Sequence, residues 1–223
     1  MEIKTKKQRN IGLDLLRIIA MLMIVTLHYL GNGQFLLNEE NGNFSIIANI
    51  LESLSIVAVN CFVLISGYFL VNSKFSWKKV AKLWGETLFY SISIYLLLII
   101  TGTHEFSLKE AVKSFLPIIT REYWFVNVYL LMYILSPFLN VLINHLNKKE
   151  LKKLIIILLF AFCIMPSCLP AWMNFDSTGG YRIIWFIVIY LLAAWIKLYN
   201  VNIKILSKKQ EYYLLIYLIL SLV

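Results

Sequence analysis

The chain has 223 residues, of which 60% are hydrophobic and 15% charged, and its formal net charge is +9. Soluble domains carry about a quarter charged residues, so this balance, with a mean hydropathy of +0.76, indicates a membrane protein. Nine glycines and four prolines exclude collagen-like and linker-rich chains. The basic residues form short clusters between apolar runs, which favours orientation in a membrane over nucleic-acid binding.

The cysteines and the N-terminus carry no processing or metal signal. Cys61, Cys163 and Cys168 lie in apolar runs without paired spacing or neighbouring histidines, so we expect neither a metal site nor a disulfide framework. The first apolar run contains Asp14 and Arg17, and no small-residue cleavage pattern follows His28. The pattern therefore predicts an uncleaved first span rather than a signal peptide.

The apolar runs predict an all-α polytopic transmembrane bundle. A helix needs about 20 apolar residues to cross about 30 Å of hydrocarbon. Six runs meet or approach this length: 11–30, 46–71, 83–101, 124–144, 154–171 and 183–199. A seventh run begins at Tyr212 and is still apolar at Val223. It is either the start of a span in a truncated chain, which we favour, or a helix that lies in the membrane interface.

The basic residues predict which side each loop faces. The segments before span one and after spans two, four and six each carry four lysines or arginines. The alternate segments 31–45, 102–122 and 172–182 carry none, three and one. The alternation follows the positive-inside rule and predicts a cytoplasmic N-terminus.

Two stretches depart from a simple span. Ser107 and Glu110 have capping-box spacing before an amphipathic stretch ending near Pro117, which predicts a short helix on the outer surface. The run 46–71 is long for one crossing. It is either one tilted helix or a short outer helix joined to a span.

Span one carries polar groups that are costly in lipid. Asp14 and Arg17 are three residues apart and can form an ion pair. Arg17 and His28 are eleven apart, about 20° from three full turns, so they share a face at an axial separation of about 16 Å. An interfacial placement explains both residues. Alternatively, Arg17 holds a phosphorylated or CoA-type ligand and His28 acts as a general base.

Further polar residues lie in the other spans. Asn49, Glu52, Ser53 and Asn60 share one face of an unbroken helix, so Glu52 either orients His28 or is merely solvated. Glu86 can pair with Arg17 or, more ordinarily, with a preceding lysine. Hydrogen bonds between helices explain a stripe of three polar residues in span four, Ser136, Asn140 and Asn144. An aromatic belt at the membrane interface explains a second set: Tyr123, Trp124, Trp172, Tyr181 and Trp185.

Several stretches resemble the membrane-bound acyltransferase-3 family. The family's hallmark is an arginine, ten intervening residues and a histidine, which Arg17 and His28 reproduce within the matching stretch from Arg9 onward. Similar stretches follow at 62–70, 123–138 and 182–186. Asn60 departs from the pattern, because many members carry an acidic residue there, and the family normally continues through several more helices.

The resemblance implies a single acyltransferase-3-like membrane domain over residues 1–223, representing the N-terminal portion of such a domain. It implies O-acyl transfer, most often of acetyl, from cytoplasmic acyl-CoA to a hydroxyl of a cell-surface or lipid-linked glycan. His28 would then be the catalytic histidine, Arg17 its partner in donor handling, and Asp14 a supporting ion-pair residue. The matching stretches also suggest substrate contacts from Ser66, Tyr68, Trp124 and Asn127.

Two other functions fit the intramembrane charges. A transporter or flippase for a lipid-linked sugar would use Arg17 and His28 along its path, and a noncatalytic membrane partner would need neither for chemistry. We expect a multi-pass protein of a bacterial plasma membrane, with acyl-CoA as donor co-substrate, no bound cofactor or metal, and no nucleic-acid partner.

Overall fold

The computed structural model describes residues 11–32, 43–117, 123–168 and 182–199, and in these ranges every regular element is a helix. Helices α1 to α4 are Ile11–Asn32, Asn43–Ser55, Ala58–Leu70 and Trp77–Ile100. Helices α5 to α7 are Leu108–Phe115, Trp124–His145 and Lys148–Leu159. A π-helical turn, Phe160–Ile164, leads into α8, Met165–Cys168, and α9 is Ile183–Leu198.

The predicted all-α membrane architecture is confirmed. Five segments are long and apolar enough to cross a bilayer: Ile11–Gly31, Ile46–Leu70, Trp77–Ile100, Trp124–His145 and Lys148–Cys168. Helix α9 has 16 residues and a length of about 24 Å, shorter than a typical span. Its crossing therefore stays a prediction, as does the cytoplasmic N-terminus, and the seventh run, 212–223, lies outside the described residues.

The run at 46–71 forms two helices, which resolves the alternative that the sequence left open. Helix α2 ends at Ser55 and α3 begins at Ala58, with a turn at Ile56 and Val57 between them. Glu52 and Asn60 consequently lie on different helices. The turn interrupts the unbroken helix on which the predicted single polar face of this run depends, so that shared face stays a prediction.

Helix α4 ends in a Schellman motif. The Gly102 N–H donates to the Ile99 carbonyl at 3.0 Å and the Thr103 N–H to the Leu98 carbonyl at 3.0 Å. Gly102 has a φ of +68°, which glycine adopts without steric cost. The last carbonyls of this candidate span are thereby paired by the chain itself.

The capping box lies on a different helix from the one predicted. Ser107 is the N-cap of α5, as predicted, but its side chain makes no capping hydrogen bond. At the start of α7, the Asn147 side chain instead accepts from Lys149 N–H and Glu150 N–H, and the Glu150 carboxylate accepts from Asn147 N–H. Asparagine is as good an N-cap as serine, and its carbonyl oxygen is better positioned here.

The described chain divides into two compact units, with the division between Ser66 and Gly67 within α3. In the first unit, α1 packs against α2. Ala20 of α1 and Ala48 of α2 are buried, whereas most large apolar side chains of α1 are exposed. This distribution is typical of a membrane helix, in which small residues allow close approach and large ones face lipid.

The second unit, Gly67–Tyr199, is organised around α9. Seven of its sixteen residues are buried, among them Phe186, Tyr190 and Ala194, and it packs against α6 and α7. A helix that is apolar all round requires neighbours on several sides. Its hydrophobicity therefore reflects a central position in this unit as much as exposure to lipid.

A polar network satisfies the carbonyl groups at the end of α3. The Asn140 amide donates to the Leu70 carbonyl at 3.4 Å and accepts from the Tyr190 hydroxyl at 2.9 Å. The Lys197 ammonium donates to the Val71 carbonyl at 2.6 Å and lies 5.4 Å from the centroid of the Tyr68 ring. A cation at a helix C-terminus is also favoured by the helix dipole.

The lysine-rich segments of this unit meet at one end. Lys197, near the end of α9, contacts Val71 after α3, and the Lys148 ammonium at the start of α7 lies 5.3 Å from the ring centroid of Tyr199. This is the clustering that the positive-inside pattern requires of spans two, four and six.

Gly67 permits the closest approach to α9. A Cβ atom at Gly67 would lie 3.1 Å from the Ala193 Cβ and 3.4 Å from the Tyr190 Cα. Neither neighbour is the end of a flexible side chain, so the backbones would have to separate. Gly85, in the middle of α4, has nothing within 4 Å of the same position and provides a matched control.

We predict that Gly67→Ala lowers the free energy of unfolding by about 1–3 kcal/mol, because the added methyl group overpacks the contact with α9. Gly85→Ala should leave it unchanged or raise it by up to about 1 kcal/mol, since alanine is the better helix former. Thermal or denaturant unfolding in detergent, followed by circular dichroism, measures both. A Gly67→Ala protein as stable as Gly85→Ala would contradict the close packing.

Candidate functional site

The intramembrane charges of α1 form the predicted ion pair. The Arg17 Nη1 and Asp14 Oδ1 atoms are 3.8 Å apart, and the Arg17 side chain is 39% exposed. The i, i+3 spacing brings the two groups together on adjacent turns. A guanidinium has five N–H donors in a planar fork, a geometry that matches carboxylate and phosphate groups.

An open groove starts at Arg17 and follows α1. It encloses about 410 Å³ and is lined by Arg17, Ile18, Met21, Leu22 and Val25 of α1 and by Phe62 of α3. This volume lies within the range typical of small-molecule sites. The groove wall is almost entirely apolar, and Arg17 contributes the aliphatic part of its side chain to it. A wall of this kind suits the uncharged part of an elongated ligand.

His28 continues the groove-lining face of α1. Around the helix axis, at about 100° per residue, the α1 residues that line the groove lie between Arg17 at 0° and Leu22 at about 140°. His28 lies at about 20°, within this arc. His28 lies one turn beyond Val25, and its side chain is exposed. Within the described ranges no hydrogen bond or ion pair engages its imidazole, which leaves both ring nitrogens available to a ligand.

Glu52 belongs to the same unit but is not joined to His28. It is half-buried on α2, the helix that packs against α1. No hydrogen bond or ion pair links its carboxylate to another described residue. Its predicted role in orienting the imidazole stays a prediction.

Two of the residues suggested as substrate contacts, Tyr68 and Trp124, lie far apart along the axis of α6. Ser66 is buried on α3, and half-buried Tyr68 lies under Lys197. Trp124 packs edge-on against Phe125 and Phe186 at the start of α6, with Asn127 one turn further along. Leu70 contacts Asn140, which lies sixteen residues after Trp124 on α6, about 24 Å along the helix axis. Tyr68, two residues before Leu70, therefore lies near the opposite end of α6 from Trp124.

The other polar predictions have varied outcomes. Glu86 pairs with Lys82 at 3.7 Å, the ordinary alternative, and both side chains are exposed. Of the stripe on α6, Asn140 makes the interhelical bonds described above. Ser136 donates to the Tyr133 carbonyl of its own helix at 2.7 Å, and Asn144 is exposed. In the aromatic belt, Trp172 and Tyr181 lie outside the described residues.

Two contacting residues were not singled out from the sequence. Phe62 is the α3 side of the groove, and nothing in its apolar surroundings distinguishes it from its neighbours. Lys197 was counted only as a topology signal, although it caps α3 and covers Tyr68. A lysine within the last turn of an apolar helix is the feature that could have marked it.

Comparison with known proteins gives one match. A family model described as an acyltransferase domain, Acyl_transf_3, matches residues 10–223 and so covers nearly the whole chain. The matched region contains Asp14, Arg17 and His28. No curated protein and no solved structure shows a significant match.

Proposed function

The chain belongs to the acyltransferase-3 family and is a multi-pass membrane protein, and we propose that it transfers an acyl group, specifically acetyl, from acyl-CoA to a carbohydrate hydroxyl. The acceptor is a cell-surface or lipid-linked glycan, and the membrane is the bacterial plasma membrane. The observation that carries the proposal is the groove that begins at Arg17 on the face of α1 that also bears His28.

Arg17 is proposed to bind the donor. Acyl-CoA is anionic at its nucleotide end and carries the thioester at the end of a long, largely uncharged arm. A guanidinium binds phosphate oxygens in a bidentate manner, and the apolar side chains beyond it can pack along the arm. Asp14, 3.8 Å from Arg17, limits the orientations of the guanidinium and offsets part of its cost in the membrane.

His28 is proposed to be the general base. Its neutral imidazole accepts the proton of the acceptor hydroxyl as the hydroxyl oxygen attacks the thioester carbonyl carbon. The carbon–sulfur bond breaks, and the imidazolium returns its proton to the departing CoA thiolate. The products are the O-acyl ester and free CoA, and the histidine is restored.

The depths of the two groups suit this assignment. The axial separation of Arg17 and His28 is about 16 Å, roughly half the hydrocarbon thickness. With the N-terminus in the cytoplasm, the donor enters from the Arg17 side and the acceptor reaches His28 from the opposite side. The reaction would then join a cytoplasmic donor to an extracytoplasmic acceptor.

We predict that His28→Ala lowers label transfer from acetyl-CoA to glycan by about 10²- to 10⁴-fold, the usual contribution of a general base. The measurement uses membrane vesicles with labelled acetyl-CoA and a glycan acceptor, and release of the label by mild base identifies an O-ester. His145→Ala is the matched control, because His145 is exposed at the end of α6 and bonds only to its own helix.

Label transfer that survives in His28→Ala would remove the catalytic assignment. Movement of the glycan across the vesicle membrane without acylation would instead support the flippase alternative.

Arg17→Ala is expected to raise the KM for acetyl-CoA by about 10- to 150-fold, since a hydrogen bond to a charged group contributes about 1.5–3 kcal/mol. Arg17→Lys should recover part of this loss, because an ammonium keeps the charge but not the bidentate geometry. Lys82→Ala, which removes an exposed cation near the start of α4, should leave the KM unchanged. An Arg17→Ala enzyme with an unchanged KM for the donor would contradict the binding role.

If Glu52 orients His28, Glu52→Gln lowers turnover, because the imidazole loses the group that holds it in place. Glu86→Gln is the matched control, because that carboxylate pairs with an exposed lysine. Near-normal turnover would exclude Glu52 from the site.

A further inference from the structure

Helix α5 exposes its large apolar side chains and buries a serine. Leu108, Val112 and Phe115 are 72%, 50% and 58% exposed, and they fall within an arc of about 60° on the helix. Ser114, on another side, is 8% exposed. A surface helix in water has the reverse distribution, with its apolar side chains packed on the protein.

The start of α5 lies beside α4 rather than beyond its end. The Tyr95 hydroxyl donates to the Ser107 carbonyl at 2.8 Å and lies 3.3 Å from the Ser107 nitrogen, whose N–H donates to it. Tyr95 is five residues before Ile100, the last residue of α4, which corresponds to about 8 Å. Side chains on a helix lean toward its N-terminus, so Ser107 is held level with Tyr95 or nearer the N-terminal end of α4.

Helix α5 packs against a candidate span that exposes apolar side chains near one end. Helix α4 packs against α5 and exposes Leu96, Leu97 and Ile100 in its last turns. These side chains are near one end of a 24-residue segment apolar enough to cross a membrane. Lipid that contacts this end of α4 therefore reaches the depth at which α5 begins.

The charged residues of α5 occupy the neighbouring side of the helix. Lys109, Glu110 and Lys113 fall between about 100° and 200° from Leu108. The Lys113 ammonium pairs with the Glu110 carboxylate at 3.0 Å. The helix thus has an exposed apolar side, a charged side and a packed side, the distribution of a helix lying in a membrane interface.

We infer that α5 is an interfacial membrane helix and that the lipid bilayer covers its exposed apolar side. Leu108, Val112 and Phe115 enter the boundary between headgroups and acyl chains, and Lys109 points to the headgroup and water side. An isolated eight-residue helix is marginal in water, so the contacts with α4 and with lipid together stabilise it. This inference is independent of the proposed acyl transfer.

The test is the depth of nitroxide spin labels in the full chain, reconstituted into vesicles of phosphatidylcholine and phosphatidylglycerol. Labels are attached at Val112→Cys and Phe115→Cys, at Lys109→Cys as the matched control on the charged side, and at Leu97→Cys as the reference in α4. The native Cys61, Cys163 and Cys168 are replaced by alanine. Collision rates with oxygen, which concentrates in hydrocarbon, and with a water-soluble nickel chelate report the surroundings of each label.

We expect the oxygen-to-nickel collision ratio at Val112 and Phe115 to be severalfold higher than at Lys109 and to approach the ratio at Leu97. Ratios at Val112 and Phe115 equal to that at Lys109 would mean that α5 lies in water, and would overturn the inference. Low collision rates with both reagents at Val112 and Phe115 would mean that protein covers this side, and would overturn it equally. Val112 and Phe115 lie on the same side of α5 and are labelled separately. A local disturbance by one label would show as a difference between their collision ratios.

Discussion

Pairing of the backbone's polar groups is the constraint on which the rest of this structure depends. Lipid offers no hydrogen bonds, so each N–H and C=O group within the membrane must find a partner in the protein. Helices satisfy this requirement along their length but leave the last carbonyls of each helix unpaired. In this chain, Gly102 closes α4 with a Schellman motif. At the end of α3, the Ser73 N–H pairs with the Leu70 carbonyl locally, and Asn140 and Lys197 add bonds from other helices.

The end of α3 illustrates how this requirement produces tertiary structure. Asn140 bonds to the Leu70 carbonyl and to the Tyr190 hydroxyl, so one side chain joins three helices. Gly67, one turn before Leu70, allows the backbones of α3 and α9 to approach closely beside these bonds. Small residues and polar side chains thus act together, because dispersion forces and hydrogen bonds replace the hydrophobic effect between helices in lipid.

The same constraint makes the polar residues of α1 informative. Arg17 and Asp14 are paired with each other and partly exposed, Arg17 lies at an apolar groove, and His28 has no bonding partner among the described residues. Asn140 and Tyr190, in contrast, bond to each other between helices, and Asn140 also bonds to α3. Groups held at a cost and left accessible are the ones suited to bind a ligand or move a proton. This contrast separates the proposed site on α1 from the structural network on α3, α6 and α9.

The sequence by itself determined the helical membrane class, the position of each long span to within six residues, and the pairing of Asp14 with Arg17. These follow from apolar run length and helical periodicity, which act over a few turns. Its arginine–histidine spacing also pointed to the acyltransferase-3 family. Only the tertiary structure decided that 46–71 breaks at Ile56, that Phe62 completes the groove and that Lys197 caps α3. Those outcomes depend on which residues distant in sequence meet across helices, and hydropathy carries no record of that.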